Sequence, residues 1–292
     1  MIALAYALAG NLSFSIASLG FTHFSRKISA HWMNCYKSIA SLVVTVLVLL
    51  IFKIPMPEFD LKISLLLISG FLGLCIGDLF MLEAMKAIGG SRMVMMFGLT
   101  PFLAGVGSWY FFDAKLPLLS WLGVLLMVGC LMLLSLERYK VSGSWQKKGI
   151  LMGILAVVFD AIGLLITKNA FQSDADPLAV NFWRLVGAMF GFLLLDRFYK
   201  RIHLQKEFIK LNFKQRIQVT VFGIMGTFVS LQLYLTAVSM GHLSVVSSVA
   251  GTGPLFTQIL ESIYERKWPH PLWFAAFLCM AGGFWCFGFS QS

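Results

Sequence analysis

Ten apolar runs, each about as long as a membrane helix, follow one another along almost the whole 292-residue chain, and that succession constrains everything else. They cover residues 2–24, 31–52, 62–85, 91–112, 118–136, 148–170, 178–199, 216–239, 243–264 and 271–289. About 20 residues of helix cross a hydrocarbon layer, and the backbone must satisfy its own hydrogen bonds there because no water reaches it. Only 12% of the residues are charged, where a soluble domain carries roughly 25%. The expected fold is an all-α membrane protein. A soluble enzyme, a nucleic-acid binder and a disordered linker are excluded, and the connections are too short for a separate domain. The first run lacks a basic n-region and outruns the apolar core of a signal peptide, so it is expected to stay as the first span.

The runs divide into two similar sets. With a shift of 147 residues and no gap, Ala9 meets Ala156, Phe24 meets Phe171, and Asn34-Cys35-Tyr36-Lys37 meets Asn181-Phe182-Trp183-Arg184. A shift of 153 then pairs Gly73 with Gly226, Leu82 with Leu235, Ala84 with Ala237, Pro101 with Pro254 and Gly129 with Gly282. A register kept through five spans is not expected from shared apolar composition alone, so the chain reads as a duplication, residues 1–140 and 147–292. Each unit holds five spans, an odd number, so the second copy enters the bilayer from the opposite side. The expected architecture is ten transmembrane helices as two inverted five-helix repeats around a central cavity, which alternately opens to each side.

The net charge of +10 is a statement about topology. Of the 23 Lys and Arg, 17 lie in odd-numbered connections, while Lys53, Lys62, Lys115 and Lys168 lie in even-numbered ones. Positive residues resist translocation, so the odd-numbered loops are expected in the cytoplasm and both termini outside it. The longest connection, residues 196–216, interleaves Ile202, Leu204, Phe208, Ile209, Leu211 and Phe213 with charges, which predicts an amphipathic surface helix. The five cysteines lie in apolar runs without metal spacing and are expected as small core residues.

The ten spans, the duplication and a proline in the fourth span of each half resemble the drug/metabolite transporter superfamily, and within it the EamA-type transporters. Ala84, Ser91, Pro101 and Trp121-Leu122-Gly123 carry the local likeness, with Ala237, Ser244, Pro254 and Glu265-Arg266 in the second half. Phe112-Asp113-Ala114 stands where the family usually has a Gly-Glu-Arg turn, and Ala9-Gly10-Asn11 where it has a Trp-Gly pair. The resemblance implies a secondary carrier whose site lies where the halves meet, lined by the third, fourth, eighth and ninth spans and closed by the first and sixth.

Ionisable groups inside spans need a reason, since each costs about 2.5–3.5 kcal/mol on insertion scales. Asp78 lies near the middle of the third span and Asp160 near the middle of the sixth; each suits a substrate amine or a proton, or else bridges helices. Lys37 and Arg184 are repeat-equivalent, about 9 Å of rise from their span starts, suited either to snorkelling or to an anion at each mouth of the pathway. Glu83 shares the depth of Lys37 and is the expected gate partner. Pro101 and Pro254, with Thr100 and Thr252 beside them, free backbone carbonyls, and both are expected to kink their helices at the cavity. Asn11, Phe14, Tyr36, Trp183, Gln232 and Tyr234 are the remaining polar or aromatic candidates. Gly73, Gly77, Gly223 and Gly226 are expected to serve packing.

No Walker loop, HExxH, nucleophile elbow or metal cluster is present in the sequence, and no cofactor or catalytic residue is expected. The expected function is export of small organic metabolites, amino acids or related compounds, by alternating access. Expected partners are the small-molecule substrate, protons as a coupling ion, and membrane lipid, for a monomer or weak homodimer. An exchanger or importer of a nucleotide-like or other anionic metabolite is the alternative within transport. A lipid-handling protein or a scaffold is the alternative outside it.

Overall fold

The computed structural model describes residues 2–56, 60–113, 117–142, 147–171, 175–199, 204–250, 252–253, 255–256, 259–260, 268 and 271–290. Every regular element among them is helical. The helices are α1 (Ile2–Ser25), α2 (Ala30–Phe52), α3 (Leu61–Gly70), α4 (Asp78–Ile88), α5 (Gly90–Met96), α6 (Thr100–Phe112), α7 (Leu118–Ser142) and α8 (Lys147–Ala170). They continue as α9 (Pro177–Tyr199), α10 (Leu204–Lys210), α11 (Phe213–Ile224), α12 (Ser230–Met240), α13 (Leu243–Ala250) and α14 (Pro271–Ser290).

Seven continuous helical stretches are long and apolar enough to cross a membrane: Ile2–Ser25, Ala30–Phe52, Leu61–Ile88, Arg92–Phe112, Lys147–Asn169, Pro177–Arg197 and Phe213–Met240. Leu118–Cys130 and Pro271–Gly283 are shorter apolar helices. Helix α13 opens the expected ninth span, and much of the remainder of that span lies outside the described residues.

Local chemistry sets the ends. The Asp60 carboxylate accepts from the Ile63 N–H at 3.0 Å and starts α3, and Asn212 with Gln215 forms a capping box at the start of α11. Lys53 and Asp113, at φ of 50° and 48°, end α2 and α6 in the left-handed conformation. Gly89, at φ of 87°, separates α4 from α5 where most side chains are strained.

Two spans are not regular. Between α3 and α4 the backbone widens into a π-helical segment, Phe71–Gly77, and between α11 and α12 into a second, Met225–Val229. The shift of 153 carries the first onto residues 224–230, so the widenings are repeat-equivalent. The fourth span is interrupted by a 3-10 turn, Phe97–Leu99, and Pro101 lies in the first turn of the new helix α6. There its missing N–H costs nothing, so the expected mid-helix kink is instead a helix start.

Packing crosses between the two similar sets. Helix α1 lies on α12 and the second π segment, and α8 lies on α4 and the first. Helices α2 and α9 pack on each other and each on the opposite set's π-containing span. α6 meets α13, and α7 meets α14. A Cβ on Gly70 would stand 1.8 Å from the Arg184 carbonyl oxygen, and one on Gly187 2.1 Å from that of Leu67. Helices α3 and α9 therefore touch backbone to backbone, the dispersion-driven contact that membrane helices use where lipid competes for apolar burial. The amphipathic segment is α10: the Trp32 indole donates to the Leu204 carbonyl at 3.0 Å, and Tyr36 stacks on both Trp32 and Phe208. All five cysteines are free, four of them buried.

Candidate functional site

A central cavity of about 130 Å³ lies between the two sets, small beside the several hundred Å³ of drug-sized sites. Asn11 and Phe14 of α1, Lys37 of α2, Asp78 at the start of α4 and Asp160 of α8 line it. Thr227 of the second π segment, Ser230 and Tyr234 of α12, and Ser247 of α13 line it as well. Thr100 and Phe97 contribute from the interrupted fourth span.

Lys37 and Asp78 form an ion pair, with the Lys37 ammonium also donating to the Thr227 hydroxyl at 3.2 Å and lying 5.6 Å from the centre of the Phe21 ring. The lysine side chain is 2% exposed and the aspartate 18%, so the acid is the open member of the pair. The first π segment makes this possible: the Asn34 amide donates to the Leu74 and Cys75 carbonyls at 3.1 and 2.9 Å, holding the widened turn against α2 one helical turn from Lys37. The expected Lys37–Glu83 pairing is corrected accordingly. Glu83 lies five residues beyond Asp78, about 7.5 Å further along the helix, and it does not line the cavity.

Asp160 is half-buried on the cavity wall, and among the described residues no hydrogen bond or ion pair reaches its carboxylate. Arg184 is placed differently from its repeat equivalent. It is fully buried, absent from the wall, and its Nε, Nη1 and Nη2 have no hydrogen-bond acceptor among the described residues. Its guanidinium lies against Gly73, where an added Cβ would stand 3.3 Å from Nη2, and it is electrostatically coupled to Asp160, Asp78 and Tyr234.

Other candidates fasten helices. The Asn11 amide donates to the Thr252 hydroxyl at 2.8 Å and the Val249 carbonyl at 3.2 Å, and the Ser15 hydroxyl reaches the Gly253 carbonyl at 3.2 Å. Thr252 thus touches a lining residue without lining the cavity itself. The Tyr234 and Ser247 hydroxyls are hydrogen-bonded at 2.9 Å on the wall. Tyr36 bonds Thr220 at 2.7 Å and serves the α10 stack, Gln232 accepts from Asn181 at 3.4 Å, and Trp183 packs near Leu66 and Val180; none lines the cavity. Pro101 is buried but, unlike Thr100, does not line the cavity, and Pro254 lies outside the described residues.

Sequence reasoning missed Thr227, Ser230, Ser247 and Phe97 on the wall. Thr227 and Ser230 come just after the repeated Gly226, so the repeat itself was a usable signal for them. Chemically, the site offers a carboxylate with no hydrogen-bond or ion-pair partner among the described residues, a neutralised lysine and several hydroxyls in a small space. That suits a small polar solute with a cationic or zwitterionic group.

No curated protein sequence matches the chain. A solved structure titled "Crystal structure of protein" matches with a TM-score of 0.74 over 96% of this chain and 94% of that one, at 14% identity, a likeness of fold alone. The profile of the EamA-like transporter family matches twice, over residues 1–136 and again over 147–289, and the chain belongs to that family of multi-pass membrane transporters.

Proposed function

We propose that this protein is a secondary transporter of small zwitterionic metabolites, amino acids or related compounds, exported across the cytoplasmic membrane by alternating access of two inverted five-span halves. The observation that carries the reading is the wall of the central cavity, drawn from both halves and bearing, beside hydroxyl groups, an Asp160 that no hydrogen bond or ion pair reaches among the described residues. A substrate ammonium takes the place of that missing partner. A dianionic solute is disfavoured in this conformation, because Lys37, the cation on the wall, is already neutralised by Asp78. The charged and hydroxyl groups on the wall favour a soluble polar solute over a lipid. The bias of Lys and Arg supports a topology with both termini outside the cytoplasm.

The test is flux in proteoliposomes across a panel of amino acids, amines, organic acids and nucleotides, with and without an imposed pH gradient. Zwitterion flux that falls about tenfold or more in Asp160→Asn is expected, a loss on the scale of one charge-assisted hydrogen bond. Flux confined to nucleotides or organic dianions, or indifferent to Asp160, sinks the reading.

A further inference from the structure

Lys37 and Arg184 occupy the same place in the two halves, yet among the described residues only Lys37 has a hydrogen-bond or ion-pair partner for its charged group. Lys37 stands on the cavity wall with an acid and a hydroxyl; Arg184 lies behind the wall with three nitrogens and no acceptor among the described residues. Their settings otherwise correspond. Arg184 packs on Gly70 and Lys37 on Gly223, and those two glycines are themselves related by the shift of 153. The acids do not correspond: the equivalent of Asp78 is Leu231, and the equivalent of Asp160 is Ser13. A buried guanidinium without an acceptor is among the costliest arrangements a protein core can hold. That cost calls for a second state in which the guanidinium finds an acceptor.

In alternating access each half takes up the conformation of the other. The second half then places Arg184 where Lys37 is now, on the cavity wall. It arrives there facing Leu231, so the acid that Lys37 meets at the corresponding position is replaced by an apolar side chain. Two acceptors remain: Asp160, to which it is already electrostatically coupled, and the solute. Gly73 is suited to such a movement, since it puts no side chain between the guanidinium and the π segment that forms the wall at Leu74.

We infer that Arg184 is the anion subsite of the opposite-facing state, taking the carboxylate of the solute in its planar fork, with Asp160 as the competing acceptor when the cavity is empty. Lys37, whose acid is built in, neutralises Asp78 and does not bind the solute. The inference rests on the transport reading above and adds to it the residue that recognises the anionic end.

The test is thermal unfolding of the purified full-length protein in nanodiscs, titrated with acetate, glycine and ethanolamine at matched ionic strength against sodium chloride. Acetate and glycine stabilise the wild type beyond the chloride control. Arg184→Ala raises the midpoint for both by about tenfold or more, and Asp160→Asn, which removes the competitor, lowers it for acetate. Ethanolamine, which has no carboxylate, gives the same midpoint in the wild type and in Arg184→Ala. If Arg184→Ala does not fold, Arg184→Lys, which keeps the charge and loses the fork, is expected to weaken both probes. An acetate effect no larger than that of chloride in the wild type, or one unchanged in the Arg184 variants, overturns the inference. Carboxylate binding that depends on Arg184 but comes without flux keeps the subsite and removes the transport reading. Flux with no Arg184 dependence does the reverse.

Discussion

At the scale of single residues, the site is decided by which charges have partners. Lys37 and Asp78 are 41 positions apart in sequence and form an ion pair inside the bundle. Removing one member of such a pair leaves an uncompensated charge, at a cost of about 3–5 kcal/mol, whereas replacing both by apolar groups of similar volume is often neutral. Lys37→Met is therefore expected to lower the unfolding temperature in detergent sharply, and Lys37→Met combined with Asp78→Leu to regain most of the loss. A double variant as unstable as the single one would show that the lysine contributes by packing, over Phe21 and against Gly223, and not through its charge. Lys37, Asp78, Asp160 and Arg184 were all legible as unusual in the sequence, because ionisable groups in apolar runs stand out. Their pairing was not. Glu83 and Asp78 lie on the same helix, and which one Lys37 meets depends on how the third span is wound.

At the scale of elements, that winding is the π segment Phe71–Gly77 and its counterpart Met225–Val229. A π turn fits one extra residue into a helix and loosens its hydrogen-bond ladder, which is tolerated where something else satisfies the backbone. In the first segment the Asn34 amide does so, through the Leu74 and Cys75 carbonyls. Deleting Ile76 is expected to return the span to regular α-helix without unfolding it, giving an unfolding temperature equal to or above that of the wild type. It also straightens the wall at Leu74 and abolishes flux in proteoliposomes. Retained flux in a stable deletion variant would reduce the widening to a packing detail. Hydropathy could not have located these segments, because an apolar run looks the same whether its hydrogen bonds span four residues or five. Pro101 teaches a related lesson. A proline in an apolar run predicted a kink, but the 3-10 turn before it makes it the first turn of a helix, where it is at ease.

At the scale of the whole molecule, the charge bias and the docked helix α10 make one expectation together. α10 and the start of α11 are tied to α2 by the Trp32 and Tyr36 contacts, and Arg216 donates to the carbonyls of Phe208, Ile209 and Leu211 at 2.9–3.1 Å. With Lys206, Lys210 and Lys214 exposed, trypsin is expected to cut this segment in inside-out vesicles and not in intact spheroplasts. Cleavage from the outer face would invert the proposed topology. The sequence by itself determined that the chain is a duplicated set of membrane helices, because burial in lipid demands apolar runs of one length and a repeat keeps its register in the residues themselves. It also marked the charges that lipid could not tolerate without cause. The tertiary structure alone decided that Lys37 lies on the cavity wall and Arg184 behind it, that Asp78 rather than Glu83 is the partner, and that both pathway helices widen at the cavity. The physical reason is that a periodic apolar pattern specifies which face a helix buries. Backbone winding and cross-helix distance, on which ion pairs and cavities depend, arise only when the helices are packed together.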